Sequence, residues 1–221
     1  MSVPFRVAVV VPAFREEARI AEVVRAARRY VDTVVVVDDC SPDATSARAA
    51  EAGAIVLRHA VNRGKGAGLK TAFAKLAELG FTHGITMDGD GQHDAEQLPA
   101  FLEALREPGV AMVLGNRFSD PRGMPFVRRI VNASMSWLIS RMCRCPIPDS
   151  QCGYRGVAVA NPAVQAAQSD HYDYETEVLV LTARARGPIR SVPVRTIYRG
   201  ETSKIRPVRD TLRFFKLLRR I

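Results

Sequence analysis

The sequence predicts an α/β protein: a mostly parallel central sheet with helices packed against it. Three observations carry that expectation. Short β-branched runs alternate with longer segments whose apolar residues recur every three or four positions. Five such runs are separated by helical patterns, the order that builds parallel crossovers. Prolines and acids collect immediately after the runs, where parallel sheets hold their ligands.

Taken in order, residues 6–11 form a β-branched strand that Pro12 stops. Residues 16–29 carry Ile20, Val23, Val24 and Ala27 at helical spacing. Residues 33–37 are a buried-strand run ending at Asp38-Asp39. Ser41-Pro42 reads as a helix start, with serine as N-cap, and Gly53 closes that helix. A strand at 54–57 precedes a helix at 65–79 stopped by Gly80, then a strand at 83–87. Residues 95–106 are helical despite Pro99, and 110–114 are the fifth strand. Beyond Asn116 the pattern loosens. A loop at 119–125 leads to an apolar helix at 126–142, which Pro146 and Pro148 terminate. A strand at 154–160, a helix at 174–184, a strand at 189–197 and a final helix at 207–221 complete the expectation.

A chain of 221 residues suits one sizeable domain. No apolar run approaches the roughly 18 residues of a membrane span, and no signal peptide is evident, so a cytoplasmic location is expected. Four scattered cysteines do not make a disulfide framework; Cys143, Cys145 and Cys152 are reduced thiols or the corner of a metal site. The net charge of +9 is uneven. From Arg184 onward there are twelve Lys/Arg and two acids, which leaves the preceding body near neutral. A uniformly basic nucleic-acid binder would not look like this. In the final helix Arg209, Arg213, Lys216 and Arg220 share one face and Val208, Leu212, Phe215 and Leu218 another. That pattern suits an anionic membrane surface, or a helix packed on the domain with a solvated outer side.

The most pointed motif is Asp88-Gly89-Asp90-Gly91-Gln92, two carboxylates one residue apart at a strand end. It is a compact hard-oxygen site for Mg²⁺ or Mn²⁺, and such an ion leaves positions for a ligand's phosphates. A solvated turn explains the same pair. After the first strand, Phe14 is placed to stack on a base or ribose and Glu16 to accept from a sugar or base; an acidic helix start also accounts for them. Asp38-Asp39 either recognise a nucleoside edge or serve the following helix. Asn62-Arg63-Gly64-Lys65-Gly66-Ala67-Gly68 has the form of a phosphate-binding loop at a helix N-terminus, although neither a Walker A nor a dinucleotide fingerprint is satisfied. Arg117 and Lys204 are further candidates to neutralise phosphates.

Together these stretches resemble the family-2 inverting glycosyltransferases of GT-A fold, and within them the dolichol- and polyprenyl-phosphate sugar transferases. The matching segments are 10–17, 37–45, 62–66, 87–92, 115–118, 149–155 and 203–205, in the family's order. The resemblance implies a Rossmann-like single domain over 1–205, with a nucleotide half (1–117), an acceptor half (118–205) and a basic amphipathic C-terminal helix (206–221). It implies a nucleoside pocket of Pro12, Phe14, Glu16, Val37 and Asp39. Asp88, Gly89 and Asp90 would hold the donor through the metal, with Asp90 and Gln92 as the direct ligands. Arg117 and Lys204 would clasp phosphates, joined by Arg199 or Tyr198. Phe14 and Gly89 stand where the family commonly has tyrosine and alanine.

The expected reaction is a single inverting displacement from a GDP- or UDP-sugar to a polyprenyl phosphate, at the cytoplasmic face of a membrane and with a possible membrane-protein partner. Arg128, Arg129 and Arg155 are candidates for the acceptor phosphate. Asp149 is the fallback general base should the acceptor be a hydroxyl. A transferase acting on a glycan or small-molecule hydroxyl, and a non-catalytic basic nucleotide-binding domain, are the alternatives.

Overall fold

Runs of valine in the first two strands are explained by a sheet covered on both faces. In the computed structural model, which describes residues 4–197 together with Leu217, Arg219 and Arg220, β1 (Val7–Ala13) and β2 (Val34–Asp38) are almost wholly buried. They lie inside a seven-stranded sheet with β3 (Ile55–Arg58), β4 (His83–Thr86), β5 (Met112–Asn116), β6 (Arg155–Ala158) and β7 (Ile189–Pro193). The strand order is β3-β2-β1-β4-β6-β5-β7. All pairs are parallel except those of β6, which runs antiparallel to both β4 and β5. The expected parallel sheet is therefore present with one reversed strand.

Side chains alternate between two cores, as the pleat requires. Val9, Val11, Val34 and Val36 face a cluster built with α1 (Ile20–Ala27), α2 (Thr45–Glu51) and α4 (Leu98–Arg106). Ala8, Val10, Val35 and Val37 face the opposite cluster, with α3 (Lys65–Glu78), α5 (Phe126–Cys143), α6 (Pro162–Ala166) and α7 (Asp173–Arg184). Pro99 falls in the first turn of α4, where its missing N–H costs nothing.

Two local expectations change. The helix after β2 begins at Thr45, not at Ser41-Pro42. The Ser41 hydroxyl instead accepts the Arg15 N–H at 2.9 Å, tying the β1 and β2 tips together. Of the expected terminal helix, the described residues Leu217, Arg219 and Arg220 are helical. Leu217 is buried, and Arg220, assigned above to a basic outer face, donates to Glu177 at 2.7 Å and to Ser169 at 3.1 Å. The rest of that helix, with Tyr198, Arg199 and Lys204, lies outside the described residues. No helix among the described residues is long and apolar enough to cross a membrane.

Candidate active site

Parallel pairing puts the carboxyl ends of β1, β2 and β4 side by side. Val10 is level with Thr86 and Ala13 with Asp38, so Pro12–Glu16, Asp38-Asp39 and Asp88–Asp90 share one edge of the sheet. Gly89 marks the closest approach. A Cβ there would sit 3.2 Å from Glu16 Cγ and 3.5 Å from the Pro12 carbonyl oxygen, so an alanine at 89 would require Glu16 to yield.

The two carboxylates of the Asp-Gly-Asp turn have different neighbours. Lys65 Nζ lies 2.7 Å from Asp88 Oδ1 and 2.9 Å from Glu175 Oε2. Burial alone would raise the Asp88 carboxyl, but the Lys65 ammonium, with His93, brings it down to about 2. His93 is held neutral by burial, its imidazole lowered to about 4, so its Nδ1 accepts the Asp88 N–H at 3.0 Å. The ring stacks on Tyr154, which in turn stacks on Phe101. Asp90 goes the other way. Burial, then the negative charges of Asp88 and Glu16, push it up to about 6, partly offset by the Gln92 N–H at 3.0 Å.

That crowding of negative charge fits a divalent cation. Among the described residues no group of three or more His, Cys, Asp or Glu closes into a metal cage. Two carboxylates suit a magnesium-type ion, which takes the rest of its shell from phosphates and water.

Other expected residues are placed less simply. Asp39 is buried: its carboxylate accepts the N–H of Arg63 at 2.8 Å and of Gly64 at 2.7 Å and meets His59 Nδ1 at 2.7 Å. The protein's own carboxylate thus takes two amides of the 62–68 loop just before α3, which leaves the Arg63 and Gly64 N–H groups closed to a phosphate. Gly66 is required for another reason: a Cβ there would meet Tyr174 Cβ at 2.6 Å and main-chain atoms of Asp170 and His171 at 2.7 Å. Val37 is fully buried beneath Gly68, so its side chain does not line an open pocket.

Arg117, after β5, makes a two-pronged pair with the fully buried Asp149, Nε to Oδ2 at 2.7 Å and Nη2 to Oδ1 at 2.8 Å. Arg155 is corrected. It is buried, and its guanidinium donates to the carbonyls of Ser150 at 2.7 Å, Cys152 at 2.7 Å and Glu175, so it holds the 150–152 turn and α7 together and does not face an acceptor. Arg128 and Arg129 lie in the first turn of α5, beside the exposed Phe126, Val127, Ile130 and Val131. Sequence reasoning missed Lys65, Glu175 and His93. Lys65 lies inside a quoted motif, but nothing local says that its ammonium points to Asp88.

Residues 8–155 match the Glycosyl transferase family 2 domain. The chain is 27% identical to the UDP-N-acetylglucosamine--dolichyl-phosphate N-acetylglucosaminyltransferase of Methanococcus voltae, over 86% of this chain and 84% of that one. It is 31% identical to the undecaprenyl-phosphate mannosyltransferase of Micrococcus luteus, over 75% and 72% of the two. Among solved structures, glucosyl-3-phosphoglycerate synthase from Mycobacterium tuberculosis, in complex with Mn²⁺, UDP and glucosyl-3-phosphoglycerate, superposes with a TM-score of 0.74 at 20% identity, covering 97% of this chain and 78% of that one. That likeness speaks for the GT-A fold.

Proposed function

The chain belongs to glycosyl transferase family 2, and from that premise we propose that it moves a sugar from a nucleoside-diphosphate sugar to a polyprenyl or dolichyl phosphate at a membrane surface. The observation that carries the donor side is the meeting of Glu16, Asp88 and Asp90 at adjacent strand tips. Pro12, Phe14, Glu16 and Asp39 border the nucleoside, with 1–117 as the donor half and 118–205 as the acceptor half. Asp88 and Asp90, with Gln92 beside them, are the residues that would hold Mg²⁺ or Mn²⁺. When bound, the cation supplies charge neutralisation to the departing diphosphate. Arg117, oriented by Asp149, presents its guanidinium to the same developing charge, joined by Lys204 and Arg199.

The acceptor follows from proton chemistry. A phosphate monoester has a second pKa of about 6, so its oxygen is already ionised near neutral pH and attacks without a general base. Asp149 is then needed only to hold Arg117. Arg128 and Arg129 receive the acceptor phosphate at the head of α5. That helix supports a peripheral membrane location. It exposes Phe126, Val127, Ile130, Val131 and Trp137 alongside Arg129 and Arg141, and carries no acid. A basic apolar face of this kind suits an anionic bilayer.

The test is a panel of UDP- and GDP-sugars with Mn²⁺ or Mg²⁺, with and without polyprenyl phosphate, reading release of nucleoside diphosphate and labelled lipid. Release that depends on the lipid phosphate supports the proposal. Release onto a soluble sugar or small-molecule hydroxyl transfers the reading to the hydroxyl-acceptor alternative. No release with any pair removes it.

A further inference from the structure

The first residue of α3 is a lysine whose ammonium is largely withdrawn from solvent between two acids. Its side chain is 15% exposed. It reaches from the donor half across to α7, bridging Asp88 at 2.7 Å and Glu175 at 2.9 Å. Three segments set this bridge. The Asp39 carboxylate pins the main chain at Arg63 and Gly64, and so fixes where α3 begins. β4 delivers Asp88. α7 delivers Glu175, a 10%-exposed side chain in its first turn. Gly153 leaves the space: a Cβ there would lie 3.1 Å from Lys65 Nζ, 3.2 Å from Glu175 Oε1 and 3.4 Å from Asp88 Oδ2. Glu175 Oε1 is buried at that point with no hydrogen-bond partner.

We propose that Lys65 is a positioning residue for the donor site: bridged to Glu175, its ammonium fixes the direction of the Asp88 carboxylate, and so couples the donor turn to α7. This rests on the donor role argued for Asp88. The physical reason is like-charge repulsion. Without the ammonium, Asp88 and Glu175 face a common point about 3 Å from each, in a partly dry setting, and they do not both stay there. Asp88 is the one with room to leave, because its side chain is 32% exposed and that of Glu175 only 10%. A buried charge pair also demands both partners, so removing one displaces the other.

The variants are Lys65→Met, which keeps the stem and removes the charge, Lys65→Arg, which restores a charge, and Glu175→Gln, which weakens the far end of the bridge. The probe is UDP or GDP, whichever the native chain binds with Mn²⁺, measured by calorimetry. Lys65→Met is expected to weaken nucleotide binding at least tenfold, Glu175→Gln less, and Lys65→Arg to recover most of the loss. In an Asp88→Asn background Lys65→Met is expected to cost less than twofold more, because it acts through Asp88. A purely structural lysine would instead lower binding by the same factor in both backgrounds. Native-like nucleotide binding by Lys65→Met, or full additivity with Asp88→Asn, overturns the proposal. A crystal structure of Lys65→Met, or of Glu175→Gln should the first not fold, decides it independently of any nucleotide. The Asp88 carboxylate is expected to leave its place beside Gly153, and an unmoved Asp88 refutes the assignment. A native chain that binds no nucleotide refutes the donor site instead, while the crystallographic comparison still judges Lys65.

Discussion

Lowering the pH from 7 to 5 is expected to weaken divalent-cation binding about tenfold, through Asp90. This carboxyl is raised to about 6 by burial and by the charges of Asp88 and Glu16. With that pKa it is about 90% ionised at pH 7 and about 10% at pH 5, and a cation that needs the ionised form loses affinity in the same ratio. Asp88 stays ionised throughout, because Lys65 helps bring it down to about 2, and His93 is neutral down to about pH 4. Neither group titrates in this window. The sign for stability is opposite to the usual carboxylate. A raised folded-state pKa means that, without a cation, ionising Asp90 disfavours the fold progressively between about pH 4 and 6. Mn²⁺ is therefore expected to raise the melting temperature more at pH 7 than at pH 5. The assay is Mn²⁺ titration of the chain alone, followed by electron paramagnetic resonance of the free ion, which avoids the phosphate of a nucleoside diphosphate titrating in the same range. Asp90→Asn should bind weakly and flatten the pH dependence. An affinity that does not change between pH 5 and 7, or a tenfold fall that survives in Asp90→Asn, would refute this account of the site.

Other perturbations test the frame around it. Arg155→Met leaves three interior carbonyls without their donor, and at about 1–3 kcal/mol for each unsatisfied buried acceptor a loss of about 3 kcal/mol or more is expected by urea unfolding. Gly84→Ala places a Cβ 2.8 Å from Leu76 Cδ1 and 2.9 Å from Phe73 Cε1; an overpacking cost of about 1–3 kcal/mol is expected, part of which Leu76→Val should recover. Phe126→Ser with Trp137→Ala removes two exposed rings from α5. It should leave the melting temperature unchanged and reduce cosedimentation with phosphatidylglycerol vesicles, native binding itself weakening as salt rises.

The sheet was legible because its strands are short, apolar and flanked by turn residues, and β1 to β5 fall where the pattern puts them. The reversal of β6 was not. An apolar run carries no direction, and what turns this strand is its pairing with both β4 and β5. At the site, the Asp-Gly-Asp turn was legible as local chemistry, whereas the roles of charged residues around it were not. Arg155 and Arg117 look alike in sequence. One donates to main-chain carbonyls in the interior and the other is clasped by a carboxylate 32 residues away. Ser41 was read as a helix cap because Ser-Pro so often opens a helix, yet its hydroxyl is claimed by Arg15 of the neighbouring strand tip. Tertiary partners, some near in sequence and some far, decided these cases, and periodicity does not encode them.

Five aspartates stand at or near the carboxyl edge of the sheet, and their partners sort them. Asp38 accepts from Ser41 N–H and Ser46 Oγ. Asp39 holds the turn before α3, Asp149 holds Arg117, and Asp88 is met by Lys65. Each of these four has a donor or cation that repays its burial. Asp90 has the Gln92 N–H, and against it burial and the charges of Asp88 and Glu16, which raise its pKa. A fold that satisfies four acids and leaves the fifth short of positive charge concentrates its electrostatic deficit at one point. Natural proteins break local rules of this kind where they bind something. Under the proposed function, a cation brought in with a ligand would relieve that deficit, and Asp90, rather than the better-anchored Asp88, would be the group through which pH and metal act.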